Sequence, residues 1–212
     1  MRESLTTLGA IFVMTSLLVG CASQFANDRP AIAALKSVSV AKTVNAPEKL
    51  YYFGPAQSKA GLAFGNLGAA TARASAEEVE NQLGSLMKAR GSEITTIVRD
   101  TCVEEIRASG IPATLVDESG DAELRLQVEY YGLAPKSRLS SELVPTLRIR
   151  GELVDRSGSV IWEQLQHADV EDPSQKPVPL EALISEPELL IAAYRNSSRL
   201  ICRQFLTQLK VR

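Results

Sequence analysis

One segment of the chain, residues 123–130, alternates between polar and apolar side chains without interruption. Alternation with a period of two is typical of a strand that has one face in a core and the other in water. Such half-buried strands belong to antiparallel sheets, because strands of parallel sheets are covered on both faces. The apolar members are Leu124, Leu126, Val128 and Tyr130, and the polar members are Glu123, Arg125, Gln127 and Glu129. The pattern therefore predicts an antiparallel sheet.

A hairpin is predicted further along the chain, where a second alternating segment ends at Val154. The next four residues begin with Asp155 and end with Gly158, which type I turns favour at their first and fourth positions. The chain is expected to return as a neighbouring strand. If the turn uses those four residues, Gly151 falls opposite Trp162 and leaves space for the indole ring.

Helices are predicted over residues 75–91, 92–109 and 185–209, since apolar side chains recur there at helical spacing. Each of these segments begins with a serine that is expected to cap it, namely Ser75, Ser92 and Ser185. Further strands are expected over residues 37–44 and 111–116. The order β–α–α–β–β–β–β–α predicts an α+β domain. Its mainly antiparallel sheet has about five strands, with the helices packed on one face and a long C-terminal helix.

The N-terminus has the organisation of a secretory leader. An apolar run of about twelve residues extends from Leu8 to Val19, too short to cross a hydrocarbon core of ~30 Å as a helix but suited to a signal peptide. The tetrapeptide at its end, Leu18-Val19-Gly20-Cys21, resembles the lipobox of bacterial lipoproteins. This resemblance implies cleavage before Cys21 and lipidation of its thiol.

The resemblance also implies a cellular location and boundaries between the parts of the chain. In Gram-negative lipoproteins a residue other than Asp after the cysteine, here Ala22, implies sorting to the outer membrane. We therefore expect a protein that several acyl chains hold on the periplasmic face of that membrane. Residues 1–20 form the signal peptide, 21–36 the lipidated cysteine and a tether, and 37–212 a single periplasmic domain. Because Glu3 offsets the charge of Arg2, an uncleaved anchor is the alternative.

The predicted hairpin resembles a known class of periplasmic domain. Residues 153–162 read Leu-Val-Asp-Arg-Ser-Gly-Ser-Val-Ile-Trp, and Gly120-Asp121-Ala122 precedes the first long strand. Both segments are similar to those of the curli-secretion lipoprotein and the N-terminal domain of TolB. The similarity covers about forty residues of hairpin and strand, so it implies a fold and not a function.

Composition excludes several classes of function. The formal net charge is −2 and aromatic residues make up 5% of the chain, so neither a basic surface nor a stacking platform for nucleic acid is expected. His167 is the only histidine, which excludes metal sites that need two imidazoles. The sequence has neither a Gly-x-Ser-x-Gly nucleophile elbow nor a phosphate-binding glycine loop. We expect no enzyme, no cofactor and no metal site.

Two cysteines remain beyond the lipobox. Cys102 and Cys202 each lie at the margin of the apolar face of a predicted helix. If the two helices pack side by side on the sheet, these residues could form a disulfide, which the oxidising periplasm would preserve. The alternative is that both are separate buried thiols that pack as small apolar side chains.

A charged lattice is predicted on the exposed face of the sheet, with Arg125, Glu129, Arg148 and Arg150 as the candidate interaction residues. A solvated surface is the alternative interpretation. The main functional hypothesis is a structural or adaptor lipoprotein that is anchored in the membrane by its lipid and binds an envelope protein. Docking would use this face, an edge strand or the Gly/Ala-rich residues 53–74, which otherwise form a loop. The second hypothesis is a ligand-binding auxiliary for lipid or small-molecule transport.

Lipidation gives the first testable prediction. The purified wild-type protein should begin at residue 21 and carry the mass of its acyl chains, because the thiol of Cys21 is the acceptor. Mass spectrometry of the N-terminal peptide measures both properties. Cys21→Ser should remain unprocessed and lose the acyl mass. An intact leader on the wild-type protein, or membrane retention of a processed Cys21→Ser protein, would contradict lipidation.

Overall fold

The computed structural model describes residues 26–54, 73, 75–109, 114–137 and 140–210. The predicted signal peptide, Cys21 and most of the Gly/Ala-rich segment lie outside these residues. The helices are α1 (Arg29–Ala34), α2 (75–89), α3 (Ile94–Ser109), α4 (Leu180–Ser185) and α5 (Pro187–Leu209). The strands are β1 (Ser37–Val40), β2 (Tyr51–Tyr52), β3 (Thr114–Leu115), β4 (Ala122–Pro135), β5 (Glu142–Asp155), β6 (Val160–Ala168) and β7 (Val178–Pro179).

The strands form one seven-stranded sheet in the order β3-β1-β4-β5-β6, with β2 also beside β4 and β7 also beside β5. The long pairs β4–β5 and β5–β6 are antiparallel, whereas β1 and β2 run parallel to β4. The predicted α+β class and mainly antiparallel sheet are confirmed. The count of about five strands is low because β2 and β7 have two residues each, too few to show a period.

The core lies between the sheet and helices α3 and α5. Trp162 on β6 and Phe205 on α5 are almost fully buried, and their rings meet edge to face with centroids 5.4 Å apart. A Cβ atom on Gly151 would lie 3.1 Å from the Phe205 ring and 3.2 Å from the indole of Trp162. Helix α5 has 23 residues and is about 34 Å long at 1.5 Å per residue. The predicted long C-terminal helix is confirmed.

The hairpin differs from its predicted register. Leu153, and not Gly151, lies opposite Trp162. The turn is one residue longer than expected, because the Asp155 N–H donates to the Ser159 carbonyl, and a bulge between Leu153 and Val154 adds a second residue. A shift of two residues keeps every side chain on its predicted face. The indole therefore still lies beside the glycine.

The folded part of the chain begins earlier than predicted. Residues 26–36, assigned to the tether, pack on the domain: Asn27 bridges to Trp162, and Ile32 of α1 is buried in the core. Helix α1 carries the chain from β6 to β1, which lies three strands away in the sheet. The carboxylate of Asp121 then accepts the backbone N–H groups of residues 36 and 37, each at 3.0 Å.

The predicted cap of the last helix is wrong. Ser185 ends the short helix α4, and its hydroxyl donates to the Ala182 carbonyl. Helix α5 begins at Pro187 after Glu186, without a side-chain cap. The sequence pattern misled because Ser185 and Pro187 each suit a helix boundary, and two helices meet there.

Strand β2 reaches β4 at a glycine. Tyr51 is the partner of Gly132 in the register, and a Cβ atom at residue 132 would overlap the Tyr51 carbonyl oxygen and lie 2.9 Å from the Tyr130 hydroxyl. The Gly132 carbonyl in turn accepts the buried Tyr194 hydroxyl of α5 at 2.8 Å. One residue without a side chain thus joins β2, β4 and α5.

We expect Gly132→Ala to lower the free energy of unfolding by about 1–3 kcal/mol, because overpacking displaces β2 from β4. Urea unfolding followed by circular dichroism measures the change. Gly84 on α2 is the matched control, since nothing lies within 4 Å of its added Cβ. Gly84→Ala should stabilise the protein by up to about 1 kcal/mol through helix propensity. Equal unfolding midpoints for Gly132→Ala and the wild-type protein would contradict the close contact.

Candidate functional site

The candidate site is the open sheet face, which we define as the side of β4, β5 and β6 opposite α3 and α5. The structure brings the four predicted interaction residues together there. In the register, Arg150 is paired with Gln127 and Arg148 with Tyr130, while Arg125 faces Glu152. Glu129 lies between the pair Gln127–Arg150 and the pair Tyr130–Arg148.

A bulge positions Glu129. The register of β4 against β5 shifts between Val128 and Tyr130, so Glu129 has no opposing residue. Beyond the bulge the alternation reverses: Tyr131 is 8% exposed and packs on Tyr194 with ring centroids 6.0 Å apart. Tyr130 is only half-buried and contacts the Tyr51 ring at 5.5 Å. The prediction that Tyr130 faces the core is therefore wrong, because one extra residue inverts a period of two.

The bulge lets Glu129 bind two arginines. Its carboxylate lies 3.2 Å from Arg148 Nε and 2.6 Å from Arg150 Nη2. Arg150 also contacts Glu163 on β6, so the ion pairs cross three strands. Hydrogen bonds to Glu129, then to Glu163, raise the pKa of Arg150 above its ordinary value. The Arg150 side chain is only 29% exposed, and this network holds it in one geometry on the open sheet face.

The outer two arginines are held differently. Arg125 donates through Nε to Glu123 at 2.9 Å, and Arg148 is bound to Glu129 through Nε. Their side chains are 56% and 52% exposed. Among the described residues, the terminal guanidinium nitrogens of these two arginines have no hydrogen-bond partner. A planar guanidinium fixed at Nε presents the N–H pair that matches a carboxylate or phosphate.

A shallow depression adjoins Arg125 at the edge of the open sheet face. Its volume is about 270 Å³. It lies between β4, β5 and the segment after β1, and its polar lining consists of Thr43, Asn45, Arg125, Gln127, Arg150 and Glu152. This surface can accept a polar side chain of a partner beside the arginines.

The two internal cysteines are joined. A disulfide links Cys102 on α3 to Cys202 on α5, with Cα atoms 5.4 Å apart. Both residues are at most 2% exposed. Close by, Glu105 of α3 binds Arg199 at 3.1 Å and Arg203 at 2.7 Å. The helices that cover the other face of the sheet are thus connected by a covalent bond and by ion pairs.

Two further residues singled out by the sequence are Cys21 and His167. Cys21 lies outside the described residues. His167 is exposed near the end of β6, with Nε2 3.4 Å from a carboxylate oxygen of Asp169. Across the described ranges no group of His, Cys, Asp or Glu side chains is arranged to hold a metal ion. None of the described helices combines the length and the apolar character needed to cross a bilayer.

A buried carboxylate that the sequence pattern did not predict lies on α2. Glu80 of α2 is 3% exposed, accepts the Tyr52 N–H at 2.8 Å, and binds both terminal nitrogens of Arg73 at 2.7 and 3.0 Å. Arg73 also lies over the Tyr51 ring, 5.0 Å from its centroid. Its signal in the sequence is spacing: Glu80 lies three residues before Leu83 and seven before Met87, on the apolar face of the helix, but this spacing does not identify a partner. This cluster fixes α2 on β2.

A cleft of about 480 Å³ lies between α2, α3 and residues 46–50. Four apolar side chains, each at most 8% exposed, line it: Leu50, Met87, Ile94 and Tyr131. Its rim carries charges of both signs, including Lys49, Lys88 and Glu93. These four large side chains therefore offer a ligand little uncovered apolar surface.

No protein-family model matches the chain, and no curated protein matches it. Similar solved structures include a Xanthomonas campestris protein of family DUF330, 13% identical over 81% of this chain and 84% of that chain, with a TM-score of 0.43. A minor lipoprotein from Acinetobacter baumannii is 14% identical over 82% and 90%, with a TM-score of 0.35. The PelC dodecamer from Paraburkholderia phytofirmans is 15% identical over 88% and 93%, with a TM-score of 0.32. Likenesses this distant indicate nothing about function.

The disulfide gives the third prediction. The double substitution Cys102→Ala and Cys202→Ala should lower the free energy of unfolding by roughly 3–5 kcal/mol. Without the bridge, the unfolded chain is no longer restricted by a closed loop of about 100 residues. Denaturant unfolding of oxidised wild-type protein against the double variant measures the loss. Reductant should leave the double variant unchanged. Equal midpoints for the oxidised and the verifiably reduced wild-type protein would contradict the bridge.

Proposed function

We propose that the chain is a lipid-anchored, non-catalytic lipoprotein of the cell envelope that acts as an adaptor and docks another envelope protein on the open sheet face. The observation that carries the proposal is the pair Arg125 and Arg148, each fixed through Nε to a carboxylate of its own sheet. Such side chains are partly ordered before they bind, so docking on them costs less entropy than docking on freely rotating arginines.

The chemistry of this face favours an acidic partner. Among polar side chains, arginine is enriched in protein interfaces and binds carboxylates through two parallel hydrogen bonds. Arg150 between the outer arginines is already neutralised by Glu129 and Glu163. A partner would therefore pair with Arg125 and Arg148 and leave the central network intact. We expect a protein segment with two carboxylates about 13 Å apart along the strand direction, four residues at ~3.3 Å.

The anchor supports the same role. The lipobox places the acylated residue at Cys21, and Ala22 favours the outer membrane, with the domain on its periplasmic face. The disulfide between Cys102 and Cys202 suits an oxidising compartment of this kind. A tethered domain meets its envelope partners at high local concentration, so a docking surface of modest affinity is sufficient.

The alternative function is a ligand-binding auxiliary for lipid or small-molecule transport. The cleft of about 480 Å³ favours it by volume, since small-molecule sites usually measure ~300–1,000 Å³. Its four large apolar side chains are almost completely buried, and only smaller apolar residues such as Pro47 are uncovered. An acyl chain would gain little from burial there, because the hydrophobic contribution scales with the apolar area removed from water.

Matched charge reversals test the docking role. Arg125→Glu combined with Arg148→Glu should reduce recovery of the envelope protein that crosslinks to the wild-type protein by tenfold or more, because each arginine would then repel a carboxylate. Arg195→Glu is the control, since Arg195 is an exposed arginine on α5, on the opposite side of the sheet. Recovery is measured by affinity purification from crosslinked envelopes and quantitative mass spectrometry.

All variants must first match the wild-type protein in thermal unfolding and in membrane retention. Equal recovery with the double variant, or an equal loss with Arg195→Glu, would contradict docking through this face. Recovery of no crosslinked protein at all would contradict the adaptor role itself.

A further inference from the structure

The described chain begins on the outer edge of β6. The Asp28 N–H donates to the Ile161 carbonyl at 2.8 Å, and the Glu163 N–H donates to the Ala26 carbonyl at 2.9 Å. Residues 26–28 therefore run antiparallel to β6 around the Asn27–Trp162 bridge. The position where the chain enters the domain is held by backbone hydrogen bonds on both sides of this bridge.

Chain length limits how far this point can be from the acylated residue. Cys21 and Ala26 are five residues apart, and five residues span at most about 18 Å when fully extended. Counted from residues 26–28, β3 is the fifth strand across the sheet. At a spacing of ~4.8 Å this is roughly 24 Å. The anchor can thus reach all of β6, but it cannot reach the edge of the sheet formed by β3.

The β6 edge and the β3 edge of the sheet also differ in surface chemistry. Val160, at the start of β6, is one of the large apolar side chains that remain exposed, at 42%. Beyond β3 the chain presents the ion pairs of Asp117 with Arg107 and of Glu118 with Lys42, and all four side chains are at least 62% exposed. Bringing these ion pairs against a lipid surface would remove four charged groups from water, whereas Val160 loses no hydration of a charge when it contacts lipid.

We infer that the edge formed by β6 and residues 26–28 is the part of the domain that faces the lipid surface, with the β3 edge directed away from it. The inference rests on the proposed acylation of Cys21 and adds an orientation to it. The sheet then stands on its β6 edge. The open sheet face, with Arg125 and Arg148, is directed sideways and is accessible to a neighbouring envelope protein without passing through the bilayer.

Site-specific fluorescence quenching tests the orientation. Acylated protein is reconstituted in phosphatidylcholine–phosphatidylglycerol vesicles that carry a quencher on the headgroup. A fluorophore is attached through a single new cysteine in Val160→Cys, in Asp117→Cys or in Phe53→Cys. The native cysteines do not compete for the label, since Cys21 is acylated and the other two form the disulfide. Phe53 is a second exposed apolar residue, 40% exposed and next to β2.

Quenching at residue 160 should exceed quenching at residues 117 and 53 at least threefold. Equal quenching at all three positions, or stronger quenching at residue 117 or 53, would overturn the orientation. Insertion of twenty Gly and Ser residues between Ser23 and Gln24 should abolish the difference, because the anchor could then reach every edge. A difference that survives the insertion would contradict the argument from chain length.

Flotation separates this inference from the proposed function. Wild-type protein that floats with the vesicles but is quenched equally at all positions overturns the orientation alone. A leaderless protein of residues 21–212 with Cys21→Ser, which has neither the apolar run of the leader nor the acyl acceptor, should fail to float. If it floats like the wild-type protein, the acylation is wrong, and the orientation that rests on it is wrong as well.

Discussion

The contact between Phe205 and Trp162 is the interaction on which the rest of the structure depends. It places the C-terminal part of α5 on β5 and β6, and it needs the absence of a side chain at Gly151. Once α5 is seated, its other residues bind their partners: Tyr194 reaches the Gly132 carbonyl, and Cys202 reaches α3. The charged side of the sheet is left uncovered by these helices, so the packing of one face defines the surface of the other.

Much of the fold was predictable, because the long elements have strong periods. Strand β4 up to Val128, strand β5 and helix α5 each repeat their pattern over enough residues to identify both the element and its buried face. Elements of two residues, such as β2 and β7, have no period and are formed by neighbours distant in sequence. The burial of Ile32 also depends on residues distant in sequence, because Asn27 forms a bridge to Trp162.

The sequence predicted which residues belong to the candidate site, but it did not predict how their side chains pair. Alternation placed Arg125, Arg148 and Arg150 on one face, because a strand side chain has only two directions. A bulge at Glu129 and an additional turn residue cannot be read from composition, since both depend on how β4, β5 and β6 fit one another. These irregularities decide which carboxylate binds which arginine, and hence which guanidinium nitrogens remain available.

The disulfide between Cys102 and Cys202 has a consequence for the order of biogenesis. Its cysteines are separated by 100 positions, which ribosomes translate in about 5–20 s. During that interval the thiol of α3 has been made and its partner does not yet exist. The bond can therefore close only after residue 202 has been made and both helices have reached an oxidising compartment.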